Sequence, residues 1–297
     1  MQMNVQRAFL AKRIFHNLRE LKLSNREGVM ILMDRPRIIV SRSEQMPGAL
    51  MITFDHAPSR NSLTTEIFSE IVRTLRDARS DDSVKLVLFT GAGEKSFSSG
   101  LSIDRLMEME TDDDRAAFYT LGLDVREAIY ALDKPVIAAV RGNCAGGGFE
   151  IALCCDLIYA CEGATFLLPE SNIALTPGCG GAINLARKLP QNRAMEMIWF
   201  AEKITADELQ GWGVVNRVFP AETYWSQVEE RVNALADKPQ LAVRGLKRIL
   251  SHTAVCGSEA ESLKNERILA VDQMKTADFQ EGLSAFKEKR KPIFGRK

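Results

Sequence analysis

The chain of 297 residues is poor in the side chains that usually build metal centres and nucleophilic triads. Its only histidines, His16, His56 and His252, are widely scattered. Neither a zinc site nor a Ser-His-Asp arrangement is easy to build from them. None of the six cysteines forms a C-x-x-C pair, and no signal peptide precedes them. Such usage is typical of reduced, mostly buried thiols in a cytosol-like compartment.

The chain also lacks an excess of charge and any long apolar run. Lys plus Arg and Asp plus Glu both total 39, so neither nucleic acid nor an anionic membrane is indicated as a partner. No run of about 18 apolar residues is present, so no membrane-spanning segment is predicted. With 45% hydrophobic and 26% charged residues, the composition indicates an ordinary soluble globular protein, which we expect to be cytoplasmic.

Residues 1–34 differ in character from the rest of the chain. Within residues 4–23 apolar residues recur at roughly helical spacing, and the other face carries five Lys and Arg residues against a single acid, Glu20. A basic amphipathic N-terminus can be an organelle transit peptide, which would place the protein in the mitochondrial matrix. The low serine content argues against that. We favour a loosely attached leader, or sequence upstream of a start at Met33.

Strands and helices alternate from Arg37 onward. Apolar and alternating runs predict strands at 37–41, 49–54, 84–91, 135–140 and 156–161, and helices at 64–79, at 112–131 and just before residue 155. This order points to βαβ units and a largely parallel sheet. After Pro177 the pattern is mostly helical. We therefore predict an α/β core over residues 35–235 and a helical C-terminal region over residues 236–297.

The stretch Arg141–Glu150, RGNCAGGGFE, contains three consecutive glycines between a predicted strand and a predicted helix. Glycine weakens both kinds of element, so the junction must need bare backbone. Free amides at the start of a helix could hold an anion or a developing oxyanion. The spacing fits neither a Rossmann fingerprint nor a Walker loop. Taken alone, a tight strand-to-helix turn explains the glycines better.

A second glycine-bearing loop, Gly93–Leu106 (GEKSFSSGLSIDRL), also follows a predicted buried strand. If both strands belong to one parallel sheet, their carboxyl ends share the edge where ligands bind. Two backbone donors from two such loops can hold one oxygen, as in an oxyanion hole. An ordinary polar connection is the alternative, and it is favoured when this loop is considered alone.

A third segment, Leu167–Gly181 (LLPESNIALTPGCGG), contains Glu170, and Glu150 lies in the first turn of the helix predicted after the three glycines; the surroundings of both are mostly apolar. A carboxylate in such surroundings is costly unless it is paired or used. Two carboxyl groups beside one substrate could hold a water and exchange a proton with a carbon. Taken separately, Glu150 could be a favourable charge at a helix start and Glu170 an acid in a turn. The coincidence of the three segments favours a site.

Several motifs occur together in one order: RNSLT (60–64), FSSGLSID (97–104), PVIAAVRGNCAGGGFEIALCCD (135–156), the segment from PE to PGCGG (169–181) and EGLSAFKEKRKPIF (281–294). In these motifs the chain, from about Arg37 onward, resembles the crotonase superfamily and, within it, the enoyl-CoA hydratases. The resemblance implies an α/β spiral of ββα repeats with a C-terminal helical layer. It also implies assembly as homotrimers or dimers of trimers.

The resemblance implies roles for single residues of this chain. The amides of Leu101 and Gly147 would form an oxyanion hole for a thioester oxygen. Glu150 would activate the water that attacks the β-carbon, and Glu170 would deliver a proton to the α-carbon. Gly178 falls where the family places a backbone donor near that water.

Binding of coenzyme A is likewise implied by the resemblance. Lys289 falls where the family uses a lysine on the coenzyme A phosphates, and Arg60 and Ser99 are further candidates. Coenzyme A is part of the substrate, so we expect no separate cofactor and no metal. Where the family often has a lysine in the first loop, this chain has Asp104, with Arg105 beside it as a substitute.

The resemblance favours an enoyl-CoA hydratase, which adds water reversibly and syn to a trans-2-enoyl-CoA through a thioester enolate. One oxyanion hole serves many reactions in this superfamily, so the fold alone does not decide the reaction. The pair of glutamates favours hydration, because isomerase relatives commonly manage with one. The alternatives are an enoyl-CoA isomerase or a specialised acyl-CoA hydratase-lyase. A weaker one is an RNA-binding homologue that uses the basic residues 1–34.

Overall fold

The computed structural model describes residues 35–253 and 259–295. The transit-peptide, leader and RNA-binding hypotheses concern residues 1–34 and lie outside the described residues. The strands are β1 (Arg37–Arg42), β2 (Ala49–Asp55), β3 (Leu86–Gly91), β4 (Ser96–Ser98), β5 (Val136–Val140), β6 (Asn143–Ala145), β7 (Leu157–Cys161), β8 (Thr165–Leu167), β9 (Ile204–Thr205) and β10 (Arg217–Phe219). The helices are α1 (Thr65–Ser80), α2 (Ile103–Met107), α3 (Asp112–Ala131), α4 (Gly147–Cys154), α5 (Gly181–Lys188), α6 (Gln191–Phe200), α7 (Ala206–Gly211), α8 (Tyr224–Ala236), α9 (Gln240–Thr253), α10 (Glu259–Gln273) and α11 (Ala277–Glu288).

The larger sheet has six strands in the order β1-β2-β3-β5-β7-β10. β1 pairs antiparallel with β2, and every other neighbouring pair in this sheet is parallel. Strands such as β5, VIAAV, are apolar throughout because both of their faces are covered. The predicted largely parallel sheet is therefore confirmed.

The two faces of the larger sheet pack against different layers. Val87 and Phe89 belong to the main core, to which α1, α3 and α4 also contribute. Leu86 and Leu88 point the opposite way, into a second cluster that contains Tyr224 of α8. Successive side chains of a strand alternate between faces, so one apolar strand serves both layers. This gives the mixed α/β architecture that the sequence predicts.

A second, smaller sheet has the order β4-β6-β8-β9. β4, β6 and β8 run parallel, while β9 pairs antiparallel with β8. The sequence predicted that strand 135–140 leads directly into the glycine stretch, which is wrong. The chain turns at Gly142, whose φ is +69°, and forms β6 before the glycines begin. The glycine stretch therefore leaves the smaller sheet.

The C-terminal part of the described chain is helical, as predicted after Pro177. Helix α9 is fastened to the larger sheet by Lys247, whose Nζ donates to Oδ2 of Asp156 at 2.8 Å and to the carbonyl oxygen of Lys134 at 2.9 Å. The division between residues 235 and 236 stays a prediction. Across residues 35–253 and 259–295, no helix is both long and apolar enough to cross a membrane.

Candidate active site

Two loops meet at one edge of the smaller sheet. Ser99 to Leu101 follow β4, and Gly146 leads from β6 into α4. Since β4 and β6 are parallel neighbours, both loops leave at the carboxyl ends of their strands. Gly100 has a φ of +84° and Gly146 a φ of +50°, values that favour glycine. The sequence predicted that the two loops converge, but at the ends of strands 84–91 and 135–140, which form β3 and β5 of the larger sheet. The structure shows that they converge at the ends of β4 and β6.

The backbone amides of Leu101 and Gly147 lie close together where the loops meet. A Cβ built on Gly147 would lie 3.9 Å from the nitrogen of Leu101, and one built on Gly100 would lie 3.0 Å from the nitrogen of Gly147. Within the described residues, neither amide donates to a backbone or side-chain acceptor. Gly147 is also the first residue of α4, where the helix dipole is positive. Together the two N–H groups can bind one negatively charged oxygen.

Close packing fixes the start of α4 against β4. A Cβ on Gly148 would lie 2.6 Å from Cβ of Ser98, a separation that real side chains do not adopt. The Ser98 hydroxyl in turn accepts a hydrogen bond from the amide of Gly100 at 3.1 Å. The glycine at position 148 therefore holds the two loops at a fixed separation.

Glu150 lies in the first turn of α4, and its side chain is almost completely buried. Its Oε1 accepts hydrogen bonds from the backbone N–H groups of Cys179 and Gly181, each at 2.9 Å. Burial raises the pKa of Glu150 above its ordinary value, and these two donors offset only part of that rise by stabilising the ionised form. One carboxylate oxygen is thus fixed in place by the Thr176–Gly181 loop region.

Glu170 begins a 3-10 helix, Glu170–Ile173, that follows Pro169. Its Oε1 lies near Gly146, since a Cβ on that glycine would be 3.3 Å from this oxygen. Its Oε2 is buried and has no hydrogen-bond partner within the described residues. Burial, reinforced by the nearby charge of Glu150, raises the pKa of Glu170 to about 7. At neutral pH this carboxyl is therefore divided between its acid and its base form.

Both carboxyl groups and both amides line one cavity of about 620 Å³, part of which is open to solvent. A mostly apolar cavity with a few convergent polar groups is typical of a small-molecule site. Most of the other side chains that line the cavity are apolar: Phe68, Ile103, Leu106, Phe118, Pro169, Ile173 and Leu175. The ring of Tyr119, which carries a phenol hydroxyl, also lines it. In the part of the chain that the structure describes, no group of three His, Cys, Asp or Glu side chains could hold a metal ion.

The other predicted site residues are placed differently. Gly178 and Ser99 line the cavity. Arg60 is exposed and does not line it, but its carbonyl oxygen accepts a hydrogen bond from the Ser99 amide at 2.9 Å. Lys289 is exposed at the end of α11 and does not line the cavity. The structure therefore brings six of the eight predicted residues together: Leu101, Gly147, Glu150, Glu170, Gly178 and Ser99.

Tyr119 and the two amides that bind Glu150 were not predicted from the sequence. Tyr119 and Gly122 stand three residues apart in α3, so they share one helix face. That face packs against the loop after Pro177: a Cβ on Gly122 would collide with Sγ of Cys179, and one on Gly178 would collide with the ring of Tyr119. Gly122, one helical turn after Tyr119, was the signal in the sequence that this face of α3 packs closely against another segment.

The arrangement of these two sheets is that of the crotonase-fold enoyl-CoA hydratases. A family model described as enoyl-CoA hydratase/isomerase matches residues 44–297, and the chain belongs to that family of enzymes.

The known proteins that are similar in sequence or structure are named as hydratases or dehydratases of coenzyme A thioesters. A carnitinyl-CoA dehydratase of Citrobacter koseri is 34% identical over 249 residues, which cover 82% of this chain and 94% of that protein. A short-chain-enoyl-CoA hydratase of Clostridium acetobutylicum is 34% identical over 241 residues, with coverage of 81% and 92%. The crystal structure of an enoyl-CoA hydratase from Bacillus anthracis superposes with a TM-score of 0.81 at 31% identity, covering 86% of this chain and 98% of that one.

Proposed function

We propose that this protein is an enoyl-CoA hydratase, which adds water reversibly and syn across the double bond of a trans-2-enoyl-CoA. The observation that carries the proposal is that Glu150 and Glu170 line the same cavity as the free amides of Leu101 and Gly147. Hydration needs a site for a negative oxygen, a base for the water and an acid for the carbon. These four groups can supply all three.

The N–H groups of Leu101 and Gly147 would donate to the thioester carbonyl oxygen. That oxygen gains negative charge as the β-carbon is attacked and an enolate forms. Donors that are already in place cost no reorganisation when the charge develops, so they lower the barrier more than water would. Because Gly147 begins α4, the helix dipole adds to the stabilisation.

Glu150 is the better candidate for the base. Two N–H donors hold its Oε1, which favours the ionised form and leaves Oε2 to accept a proton from water. Gly178 borders the cavity next to the loop that provides these donors, so its backbone is available to orient the same water.

Glu170 is the better candidate for the acid. Its pKa is raised to about 7, so a large share of the carboxyl groups carry a proton at neutral pH. In the forward reaction the water's O–H bond breaks, its hydroxyl joins the β-carbon and its proton goes to Glu150. The proton of Glu170 goes to the α-carbon, and proton exchange with solvent then restores both groups.

The decisive test is the loss of the conjugated enoyl-thioester absorbance when crotonyl-CoA is mixed with the protein. We expect activity in the wild type and a loss of about 10² to 10⁴-fold in kcat for Glu150→Gln and for Glu170→Gln. Glu162→Gln is the matched control, because Glu162 is exposed and does not line the cavity. Full activity of either cavity variant would refute the assigned roles.

A second candidate is the same addition of water to crotonobetainyl-CoA, an enoyl thioester whose acyl group carries a quaternary ammonium, to give carnitinyl-CoA. It is favoured by the relative named carnitinyl-CoA dehydratase and by the rings of Phe68, Phe118 and Tyr119 in the cavity wall, since aromatic faces attract such cations. A direct comparison of crotonobetainyl-CoA with crotonyl-CoA separates the two. An isomerase would instead convert a 3-enoyl thioester into the conjugated isomer without adding water.

Coenzyme A binding and oligomeric state complete the proposal. Ser99 in the cavity wall, with Arg60 and Lys289 as cations for the phosphates, would hold the coenzyme A portion of the substrate. We further propose a homotrimer or a dimer of trimers. Large apolar side chains on α6 support an interface, since Trp199 is 67% exposed and Phe200 is 68% exposed. Light scattering on the purified protein measures the number of subunits directly.

A further inference from the structure

Tyr119 lies in the wall of the cavity, yet the proposed mechanism gives it no role. We propose that the ring of Tyr119 limits the length of the acyl group, so that the enzyme prefers short 2-enoyl thioesters. The inference rests on the proposed function only in taking the ligand to be an acyl-CoA thioester.

The ring occupies the space that a side chain at position 178 would otherwise fill. A Cβ on Gly178 would collide with Cε1 and Cδ1 of Tyr119. One turn later in α3, Gly122 accommodates Sγ of Cys179 in the same way. Helix α3 is therefore packed tightly against the 178–179 backbone, and the ring has little room to move away from the cavity.

The same backbone fixes the position of the ring relative to the reacting groups. The amide of Cys179, which follows the glycine under the ring, donates to Oε1 of Glu150 at 2.9 Å. Burial raises the pKa of Tyr119, and the neighbouring Cys179, Glu150 and Glu170 raise it further. The phenol thus stays protonated and lies within the electrostatic influence of both carboxyl groups.

The wall around Tyr119 is rigid, whereas the mouth of the cavity is open. Its ring packs edge-on against Phe118 with the centroids 5.4 Å apart, and Phe118 in turn contacts Phe68 at 5.7 Å. Phe68 and Phe118 are buried, so they mark the floor. Ile103 and Ile173 are more than half exposed, so they mark the mouth. An aromatic group on the floor side cannot yield to a longer chain without breaking this packing.

These contacts give the acyl group a defined limit. If the thioester oxygen binds the amides of Leu101 and Gly147, the β-carbon lies between Glu150 and Glu170. Carbons beyond the β-carbon then meet the side of the cavity that Tyr119 closes. A side chain without the ring at this position would open that side, whereas removal of the hydroxyl alone would not.

The test compares kcat/KM for crotonyl-CoA and trans-2-octenoyl-CoA in the wild type, Tyr119→Ala and Tyr119→Phe. We expect the wild type to prefer crotonyl-CoA by at least about tenfold and Tyr119→Ala to lose most of that preference. Tyr119→Phe should keep the preference, since the ring remains. An unchanged ratio in Tyr119→Ala, or an equal loss in Tyr119→Phe, overturns the proposal.

Binding of saturated thioesters separates this inference from the proposed reaction. Butyryl-CoA and octanoyl-CoA cannot be hydrated, so their dissociation constants report the fit of the chain alone, and the same shift in ratio is expected. If no enoyl thioester is hydrated but the binding ratio shifts, the proposed function fails and the role of Tyr119 stands. Leu123→Ala on α3 is the control, because Leu123 does not line the cavity, and Tyr119→Leu serves if the alanine variant does not fold.

Discussion

Glu150 and Glu170 are the same side chain in two different surroundings. Backbone donors hold one oxygen of Glu150, whereas Oε2 of Glu170 is buried without a partner in the described part of the chain. Hydrogen bonds to an ionised carboxylate stabilise its charge, and burial without them favours the protonated form. Environments that separate the protonation states of two carboxyls are the usual way to obtain a base and an acid from one residue type.

The pH dependence of the reaction follows from Glu170. Its acid form is lost as the pH rises through about 7, so kcat/KM for hydration of crotonyl-CoA should fall above that pH. Dehydration of the 3-hydroxyacyl product should show the same profile, because hydration takes up no net proton and the ratio of the two kcat/KM values equals an equilibrium constant that does not change with pH. Rates in both directions between pH 5 and 9 test this. A forward kcat/KM that increases through pH 7 would show that Glu170 does not act as the acid in hydration.

Stability should respond to Glu170 in the opposite sense to that of a paired carboxylate. Its pKa is about 7 in the folded protein against an ordinary value of 4.5, so its favourable contribution is complete below about pH 4.5 and is lost as the pH rises through 7. Glu170→Gln should therefore stabilise the fold by about 1 to 2 kcal/mol at pH 8, after allowance for partial exposure, and by almost nothing near pH 4.5. Urea unfolding at both pH values measures this, and an equal gain at both would contradict it.

At the scale of elements, the sequence predicts long segments well and short ones poorly. Helix α3 was predicted at residues 112–131 and is observed at Asp112–Ala131, since its aspartates and apolar spacing mark both start and course. β4 and β6 were not predicted. A strand of three residues such as SFS or NCA is too short to show periodicity, and only pairing with neighbours defines it.

The candidate site shows the same limit. The residues that carry its chemistry could be predicted because motifs mark them locally, as the three glycines before Glu150 do. The partners of Glu150 could not, because Cys179 and Gly181 lie 29 and 31 residues away along the chain. Nothing in the local sequence indicates which amides face a carboxylate once the chain has folded.

The contact between α4 and β4 gives a prediction for Gly148. Gly148→Ala would place a Cβ 2.6 Å from Cβ of Ser98, so we expect the overpacking to destabilise the fold by about 1 to 2 kcal/mol despite the better helix propensity of alanine. Activity should fall as well, since β4 carries the loop with Leu101. Thermal unfolding and the crotonyl-CoA assay measure both effects.

Gly211→Ala is the matched control for that substitution. Gly211 is likewise a helical glycine, the last residue of α7, but a Cβ there would meet no atom within 4 Å. Its stability should stay the same or rise slightly. If both variants behave alike, close packing at Gly148 is not what separates the two loops.

At the scale of the whole molecule, one buried ion pair joins the C-terminal helices to the sheet. Lys247 pairs with Asp156 at 2.8 Å, and the Lys247 side chain is 7% exposed. Lys247→Met would leave Asp156 without its cation, so we expect a loss of about 2 to 3 kcal/mol in the free energy of unfolding. Lys275→Met is the control, because its pair with Asp272 is exposed and should contribute less than about 0.5 kcal/mol. Equal losses in urea unfolding would show that the buried pair does not fasten α9.

The buried amine of Lys134 can report on local opening of the fold. Its side chain is wholly buried, and its amine donates to the carbonyl oxygens of Ala78 and Asp81, both at 2.6 Å, where α1 ends. An amine-reactive reagent cannot reach it in the folded molecule, whereas it reaches the exposed lysines at once. The rate at which Lys134 becomes labelled would therefore report how often the end of α1 separates from the sheet. Labelling kinetics at this one lysine would therefore measure local unfolding of the core without any engineered probe.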